Sequence, residues 1–364
     1  MSVVIAFPSA FADKAALVRA VKKVARGKIS IVLEKNCIVC ESRDSVELAS
    51  QLANLFGVEE VAIAKKVSSD FSDLSHAIVE AGTEIIIPGA RFYIKVIQEA
   101  EAAKYDYVSR DIEFAASGAL TVKLSSIKAK PAKSEHDASH VILTIIGKES
   151  AYVCLQLSRA AGGLVAGIEG KVFCSIHSSL SLLSSLMAAK VGFDPTIALP
   201  YADERDLESN AKLAQLFASQ SGRIKETILA IPINVPAIKD VCAPLVKEKI
   251  ISKILIHQKE ANRIVFPLSI AVHPVWLIES IMQETLSIGK TPFMPLIFMS
   301  NELVTYSQDI GINFHPSVVS TRAKNKLEKY RGIIESEAKV ATKRTKKLDL
   351  NVGPNYLHDI IDSI

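Results

Sequence analysis

The sequence predicts an α/β protein with an α+β N-terminal part, and two patterns lead to this class. Residues 1–68 alternate apolar strands with amphipathic helices in the order β-α-β-β-α-β, which is typical of a split βαβ, ferredoxin-like fold. Residues 170–320 alternate short apolar strands with helices, which is typical of a doubly wound, mostly parallel sheet. A hydrophobic content of 49% over 364 residues is enough for two or three domains.

The elements of residues 1–68 follow from hydrophobic periodicity and turn residues. Apolar side chains recur at helical spacing after Asp13, and Lys35-Asn36 separates two short β-rich runs. Asp44 with Glu47 is typical of a capping box at the start of a second helix. The predicted elements are a strand at 3–7, a helix at 13–26, a hairpin of strands at 29–33 and 37–40, a helix at 44–56 and a strand at 58–67.

Residues 69–168 continue with a mixture of helices and strands. Asp70 and Asp73 are placed to cap a helix through Val79. The segment 125–139 is rich in lysine and contains Pro131, which predicts a linker. The other predicted elements are strands at 141–146 and 152–157.

The alternation after residue 170 predicts the place of a ligand. The predicted strands are 172–176, 196–199 and 227–231, and the predicted helices are 179–190, 206–219 and 235–249. Ligands of doubly wound sheets bind beyond the carboxyl ends of the strands. The loop after Ile176 also opens a helix, whose first backbone N–H groups suit an anion such as phosphate. We therefore expect any nucleotide to lie at this loop.

A glycine-rich run at 162–192 carries a family resemblance. The run reads GGLVAGIEGKVFCSIHSSLSLLSSLMAAKVG, with Gly162, Gly163, Leu164 and Gly167 before Gly170-Lys171-Val172. It resembles the junction between the THUMP domain and the PP-loop ATP pyrophosphatase domain of the tRNA 4-thiouridine synthetases. Weaker matches cover most of the chain, including a segment with Pro295-Leu296-Ile297 and Glu302, in which Asn301 stands in place of a lysine.

The resemblance implies a division of the chain into four parts. These are a ferredoxin-like domain at 1–68, a THUMP RNA-binding domain at 69–168, a degenerate PP-loop domain of the adenine nucleotide alpha hydrolase type at 169–320, and a basic C-terminal helical tail at 321–364. The tail is predicted to be helical because apolar residues recur at helical spacing among ten Lys and Arg residues between 322 and 347.

The predicted nucleotide loop departs from the family pattern. The core SGGxDS is replaced by His177, Ser178, Ser179, Leu180 and Ser181. Glycines allow phosphates to approach the backbone closely, and this loop contains no glycine. It also contains no acid to hold Mg²⁺ and no lysine to neutralise the phosphate charge. His177 is compatible with a phosphate contact or with a packed histidine. We expect no catalytic residues, no metal and at most weak ATP binding, with a loop remnant formed by Gly170, Lys171, His177, Ser178, Ser179 and Glu302.

Sulfur transfer also lacks its expected residue. The resemblance implies a reactive cysteine near Gly311 and His315-Pro316, but no cysteine follows Cys242. Five cysteines favour a reducing compartment, and one C-x-x-C pair, Cys37 and Cys40, is too few for a four-cysteine zinc site. That pair is predicted to be structural.

RNA contact is implied by the resemblance, because THUMP domains bind the tRNA acceptor end. A net charge of +4 permits nucleic-acid binding without requiring it. A solvated polar face is the alternative for each cation. The candidate phosphate contacts are Arg91, Lys95, Lys104, Arg110, Lys123, Lys128, Lys130, Lys133, Arg159, Lys343, Arg344, Lys346 and Lys347.

The sequence therefore predicts a cytoplasmic tRNA-binding protein that resembles tRNA 4-thiouridine synthetase and has neither ATP pyrophosphatase nor sulfurtransferase activity. The sequence contains no run of 18 or more apolar residues, so no membrane-spanning helix is predicted. Two alternatives remain open. One is an active sulfurtransferase with a rewritten loop or a cysteine supplied by a catalytic partner protein. The other is a scaffold that presents tRNA to another modification enzyme.

Overall fold

The computed structural model describes residues 2–25, 29–98, 105–221, 225–234, 243–259, 262–312 and 327–351. The chain divides into two compact units, Met1–Gly162 and Gly163–Ile364. The arginine and glycine at the predicted end of the first helix, residues 26 and 27, lie outside the described residues.

The first unit is built on one eight-stranded sheet. Its strands are β1 (Ser2–Pro8), β2 (Ser30–Leu33), β3 (Ile38–Glu41), β4 (Val58–Val67), β5 (Arg91–Gln98), β6 (Lys130–Pro131), β7 (His140–Ile146) and β8 (Ala151–Arg159). Its helices are α1 (Lys14–Val24), α2 (Ser45–Ala53), α3 (Phe71–Ile85) and α4 (Ser109–Lys123). The strand order is β2-β3-β1-β4-β8-β7-β5-β6.

The first half of this sheet has the predicted ferredoxin-like arrangement. Strands β2, β3, β1 and β4 are neighbours in that order, and each adjacent pair is antiparallel. Helix α2 begins as expected, since the Asp44 side chain accepts a hydrogen bond from the Glu47 N–H at 2.9 Å. The predicted capping box is only half formed, because the Asp44 N–H donates to Ser42 Oγ at 3.3 Å.

The second half of the sheet continues directly from the first. Strand β4 pairs with β8, so the segments predicted as a ferredoxin-like and a THUMP domain share one sheet. Asp70 is the N-cap of α3, but its side chain makes no capping bond, and the helix runs past the predicted end to Ile85. Part of the predicted linker forms β6, which lies parallel to β5 and pairs Arg91 with Lys130.

The second unit is a doubly wound, mostly parallel sheet, as predicted. Its strands are β9 (Lys171–Ser175), β10 (Asp194–Tyr201), β11 (Lys225–Pro232), β12 (Arg263–Val265), β13 (Thr291–Phe293) and β14 (Lys346–Asn351), in the order β13-β12-β9-β10-β11-β14. Its helices are α5 (Ser179–Lys190), α6 (Glu204–Gln220), α7 (Ala243–His257), α8 (Val275–Ser287), α9 (Asn301–Asp309) and α10 (Arg331–Arg344).

The C-terminal segment is part of the second unit and is only partly helical, so the prediction of a helical tail is wrong. Helix α10 buries Ile334, Ala338 and Ala341 in the core that α7 and α8 share. The chain then forms β14, which pairs antiparallel with β11 and places Lys346 opposite Ala230. Leu348 and Leu350 alternate with Lys347 and Asp349, a period of two that the helical interpretation of the lysine-rich run overlooked.

Gly163, the first residue of the second unit, has a backbone conformation and a close neighbour that only glycine tolerates. Its φ of +77° is left-handed, and a Cβ there would lie 2.3 Å from the Lys190 carbonyl oxygen. Gly163→Ala should therefore lower the free energy of unfolding by about 2 kcal/mol or more. Gly118 in α4 has no atom within 4 Å of an added Cβ, and Gly118→Ala should instead stabilise by about 0.5–1 kcal/mol. Urea unfolding followed by circular dichroism measures both, and an unchanged midpoint for Gly163→Ala would contradict this geometry.

Candidate nucleotide-loop site and basic surfaces

The loop after β9 lies at the switch point of the parallel sheet. Strand β9 is placed between β10 and β12. The chain runs from β9 through β10 to β11, then returns to the other side of β9 to form β12 and β13. In doubly wound sheets this change of direction opens a crevice at the carboxyl ends of the strands, where ligands bind. The predicted ligand loop is therefore in the expected place.

The loop has the predicted strand–turn–helix form. Helix α5 begins after Ser178, whose Oγ accepts a hydrogen bond from the Ser181 N–H at 3.2 Å. The helix extends to Lys190 and is followed by Gly192 with a φ of +96°. The local sequence thus places the loop at a helix N-terminus, as a phosphate-binding loop requires.

The backbone N–H groups of the loop are used within the chain. Ser181 Oγ accepts hydrogen bonds from the N–H of His177 at 2.8 Å and of Ser178 at 2.9 Å. The same hydroxyl donates to the Ser178 carbonyl oxygen at 2.8 Å. Ser181 is fully buried. One internal hydroxyl oxygen therefore takes the place at these two amides that an external anion would occupy.

The His177 side chain is buried and paired, which agrees with the packed-histidine alternative. His177 Nε2 lies 3.0 Å from Glu248 Oε2, a carboxylate of α7, and the two side chains are only 6% and 10% exposed. Burial acts to raise the pKa of Glu248, but His177, His273 and Lys247 outweigh it and hold that pKa below its ordinary value. An ionised carboxylate therefore lies against the loop.

A second histidine completes the polar cluster. His273 follows β12, and its Nδ1 accepts a hydrogen bond from the Ser269 N–H at 3.3 Å. Burial lowers the pKa of His273, with Glu248 acting against it. Two buried atoms of the cluster, His177 Nδ1 and Glu248 Oε1, have no hydrogen-bond partner among the described residues. The cluster can exchange a proton or hold a small polar molecule.

Sequence reasoning missed Glu248 and His273. Glu248 lies 71 positions from His177, so their contact depends on the packing of α7 beside β9. One signal was present in the sequence, because Lys247-Glu248-Lys249 places three consecutive charges in a helix whose other residues are mostly apolar and buried. Charged residues are almost never fully buried without a partner.

The other residues of the predicted loop remnant are not brought together. Gly170 and Lys171 lie at the start of β9, and His177 lies beyond its end, a separation of roughly 20 Å along a strand. Ser179 is exposed in the first turn of α5, and Glu302 is exposed in the first turn of α9. Within the described part of the chain, none of these four residues hydrogen-bonds or forms an ion pair with the side chains of His177 and Glu248.

The described cysteines are buried. Burial raises the pKa of both Cys40 and Cys154 to about 12. Cys37 and Cys174 are also buried, and Cys242 lies outside the described residues. Both members of the C-x-x-C pair are buried, which agrees with the predicted structural role. A thiolate, which sulfur transfer needs, is disfavoured at Cys40 and Cys154.

The sheet of the first unit gathers three of the predicted RNA contacts. Parallel pairing of β5 with β6 places Arg91 beside Lys130, although the two residues lie 39 positions apart in the sequence. Lys128 precedes β6 in a left-handed conformation with a φ of +58°. All three side chains are exposed. We call Arg91, Lys128 and Lys130 the β6 edge patch.

The remaining candidate cations of the first unit lie apart from one another. Lys95 is neutralised by Glu135, with 2.7 Å between Nζ and Oε2. Arg159 lies opposite Glu60 in the β4–β8 pair. The others are Arg110 and Lys123, exposed at the two ends of α4, Lys133, exposed after β6, and Lys104, which lies outside the described residues.

Four cations surround the junction between α10 and β14. Lys343 and Arg344 end the helix, and Lys346 and Lys347 begin the strand. All four are exposed. Because helix and strand anchor them on both sides, they form a second basic surface on the folded unit.

The described residues also set limits on other sites. They contain no group of three or more His, Cys, Asp or Glu side chains that could hold a metal ion. None of the helices in the described part of the chain has the length and apolar content that a membrane crossing needs.

Comparison with known proteins gives relatives of one kind. The chain is 21% identical over 194 residues to a probable tRNA sulfurtransferase of Macrococcus caseolyticus, covering 51% of this chain and 46% of that protein. It is 22% identical over 204 residues to a probable tRNA sulfurtransferase of Enterococcus faecalis, covering 54% and 49%. The chain thus spans about half the length of these relatives. No protein-family model matches it.

Solved structures match over a larger part of the chain. A 4-thiouridine synthetase in complex with RNA and bound ATP superposes with a TM-score of 0.74 and 15% identity, covering 96% of this chain and all of that one. PH1313 from Pyrococcus horikoshii superposes with a TM-score of 0.64 and 16% identity, covering 86% of this chain. At these identities the likeness shows a shared fold.

The fold is that of the 4-thiouridine synthetase structure, with a ferredoxin-like start and a doubly wound sheet at the end. In sequence the chain is similar to probable tRNA sulfurtransferases. The resemblance predicted from the glycine-rich run is thereby confirmed.

The pairing of Glu248 can be tested by pH. Its lowered folded-state pKa means that the carboxylate contributes stability above its ordinary value of 4.5, which is lost as pH falls toward the folded-state pKa. Wild type should therefore lose more stability than Glu248→Gln when pH falls from about 6 to about 3. At neutral pH, Glu248→Gln should be less stable than wild type by about 1–3 kcal/mol, because His177 loses a charged partner.

Melting temperature against pH measures both effects. Because Glu248 also acts on the pKa of His273, the comparison is repeated in a His273→Gln background, in which that side chain does not titrate. Glu302→Gln removes an exposed carboxylate and is the control. If the Glu248→Gln and wild-type curves run parallel from neutral to acid pH, Glu248 is not ionised against His177.

Proposed function

We propose that this chain binds tRNA and has neither ATP pyrophosphatase nor sulfurtransferase activity. One observation carries the proposal. In a fold shared with 4-thiouridine synthetase, Ser181 Oγ occupies the loop amides at the switch point, and the His177–Glu248 pair lies beside them. The scaffold shared with a 4-thiouridine synthetase thus carries a serine hydroxyl and a histidine–carboxylate pair at the loop where we expect any nucleotide.

The residues at the loop do not fit a bound triphosphate. Phosphate oxygens need backbone N–H groups, a cation or both. The amides of His177 and Ser178 are hydrogen-bonded to a buried hydroxyl, and the carboxylate of Glu248 contacts the loop from another element. A helix N-terminus favours an anion by at most ~2 kcal/mol, whereas millimolar binding requires about 4 kcal/mol.

The cysteines support the absence of sulfur transfer. A persulfide carrier needs a cysteine that forms a thiolate at the site of the activated base. Cys40 and Cys154 belong to the sheet of the first unit and have a pKa of about 12. Cys174 lies within β9 and is buried. No cysteine follows Cys242 in the sequence.

RNA binding is supported by the fold and by the two basic surfaces. The structure that shares this fold was solved as an RNA complex, and the related proteins are described as tRNA sulfurtransferases. The β6 edge patch presents three exposed cations from two adjacent strands and the turn before them. Such a cluster suits the sugar–phosphate backbone of a folded RNA, which proteins recognise largely by shape.

Removal of the β6 edge patch should weaken tRNA binding and reduce its salt dependence. Each phosphate contact adds close to one unit to the slope of log K against log salt. Arg91→Ala/Lys128→Ala/Lys130→Ala should therefore bind total tRNA at least tenfold more weakly at low salt, with a slope shallower by about 2–3. Electrophoretic mobility shifts over a range of salt concentrations give both quantities.

A triple variant of equal charge change provides the control. Arg19, Lys22 and Lys23 are exposed on α1 of the same unit, and their replacement by alanine should leave affinity within about twofold of wild type. Equal losses in both triple variants would show that net charge, not the patch, determines binding. Absence of tRNA binding by wild type at low salt would overturn the proposal.

The purified chain should not modify tRNA on its own. Given tRNA, ATP, Mg²⁺ and a persulfide donor, it should release no pyrophosphate and yield no 4-thiouridine by nucleoside mass spectrometry, because the loop amides are already hydrogen-bonded and the cysteines of the described residues are buried. Calorimetry should show no micromolar, Mg²⁺-dependent ATP binding. Ser178→Gly/Ser179→Gly should not change these results, since the Ser181 hydroxyl and Glu248 remain. ATP-dependent 4-thiouridine formed by this chain alone would show an active sulfurtransferase instead.

A further inference from the structure

A second polar site lies in the second unit, in a cavity of about 450 Å³ bordered by α7, α8 and the segment that leads into α10. This volume is within the range of small-molecule sites. The cavity is formed by side chains on three helices, so it is separate from the loop that follows β9. Its lining combines Lys and Glu side chains with Trp276, the single tryptophan of the chain.

The floor of the cavity carries two lysines that share one carboxylate. Lys249 and Lys253 are one turn apart on α7, and their Nζ atoms lie 3.1 and 2.6 Å from the two oxygens of Glu284 on α8. Lys249 Nζ also donates to Ser280 Oγ at 2.9 Å. The lysine side chains are only 10% and 16% exposed. Two ammonium groups against one carboxylate leave a positive charge at a poorly solvated place.

Several N–H donors on the floor of the cavity have no acceptor among the described residues. An ammonium group has three N–H donors, of which Lys249 uses two and Lys253 one among the described contacts. Trp276 Nε1 is buried and has no acceptor among the described residues. Buried donors without acceptors are costly and are expected to find one. What the floor lacks is an anionic acceptor such as a ligand carboxylate.

The rim of the cavity has the opposite charge. Glu279 and Glu328 are exposed acids, while Glu335 is paired with Arg331 at 3.3 Å. Over the whole lining there are three cations and four carboxylates, a net charge of −1. Polyanions such as nucleotides and RNA are therefore repelled. A ligand that reaches the floor through this rim should carry an ammonium group as well as its carboxylate.

We propose that this cavity binds a small zwitterion of the α-amino-acid class. Its carboxylate would lie against Lys249, Lys253 and the Trp276 N–H, and its ammonium group would lie toward the acidic rim. Leu327 and Ile334 on the α10 side offer apolar surface to the remainder of the ligand. This inference does not depend on the RNA-binding function.

Trp276 provides a direct readout, since tryptophan fluorescence of the full-length chain reports one position. Each L-amino acid other than tryptophan and tyrosine would be titrated to about 10 mM, together with acetate, methylammonium and inorganic phosphate. At least one amino acid should give a saturable change with a Kd of about 1 mM or below. The three partial ligands should bind at least tenfold more weakly.

Two variants and one control complete the test. Lys249→Met and Lys253→Gln should each weaken the amino-acid response at least tenfold, and Lys253→Gln serves alone if the more buried Lys249→Met does not fold by circular dichroism. Lys212→Gln removes a lysine from an exposed ion pair on α6 and should leave the response unchanged. The proposal is overturned if no amino acid gives a saturable signal, if acetate or phosphate binds equally well, or if folded Lys253→Gln retains wild-type affinity.

Discussion

The position of β9 between β10 and β12 is the constraint on which the second unit depends. The strand is buried from Val172 to Ser175, so parallel neighbours and helices must cover it. The change of direction beside β9 brings the loop before α5 together with the segment after β12. Ser184 Oγ of α5 donates a hydrogen bond to the Phe266 carbonyl oxygen at 3.2 Å and so links that helix to the segment after β12. The crevice is therefore set by strand order and not by any residue of the loop.

Helix α7 connects the two polar sites of this unit. Glu248 and Lys249 are adjacent in the chain, yet Glu248 contacts His177 at the strand ends and Lys249 contacts Glu284 of α8. Successive residues of a helix point about 100° apart, so a buried helix can present charges of opposite sign to different neighbours. Both charges are partnered, as buried charges must be.

The first unit shows how a sheet assembles a surface from distant residues. Strand β6 has only two residues, and its parallel contact with β5 brings Lys130 beside Arg91. A short edge strand that carries cations is also protected against pairing with other chains. The same side chains that are proposed to contact phosphates therefore limit unwanted association through this edge.

Local patterns in the sequence were sufficient for most of the secondary structure and for the fold class. The ferredoxin-like order, the strand–turn–helix around Ser178 and the alternation in the second unit depend on short-range periodicity and capping, which neighbouring residues report directly. The glycine-rich run also identified the related proteins correctly. The strand at Lys346–Asn351 was missed because β14 is stabilised by pairing with β11, which lies far away in the sequence.

The chemistry of the candidate site depended on tertiary packing. The sequence around His177 contains no acid, but in the folded chain Glu248 of α7, 71 positions away, contacts His177. The Ser181 hydroxyl could be assigned to the loop amides only once the turn geometry was known. The partners of Lys249 and the proximity of Arg91 to Lys130 were likewise decided by helix and strand packing. Residue types and spacing predict the local backbone, whereas contacts between distant segments are set by the burial of the whole core.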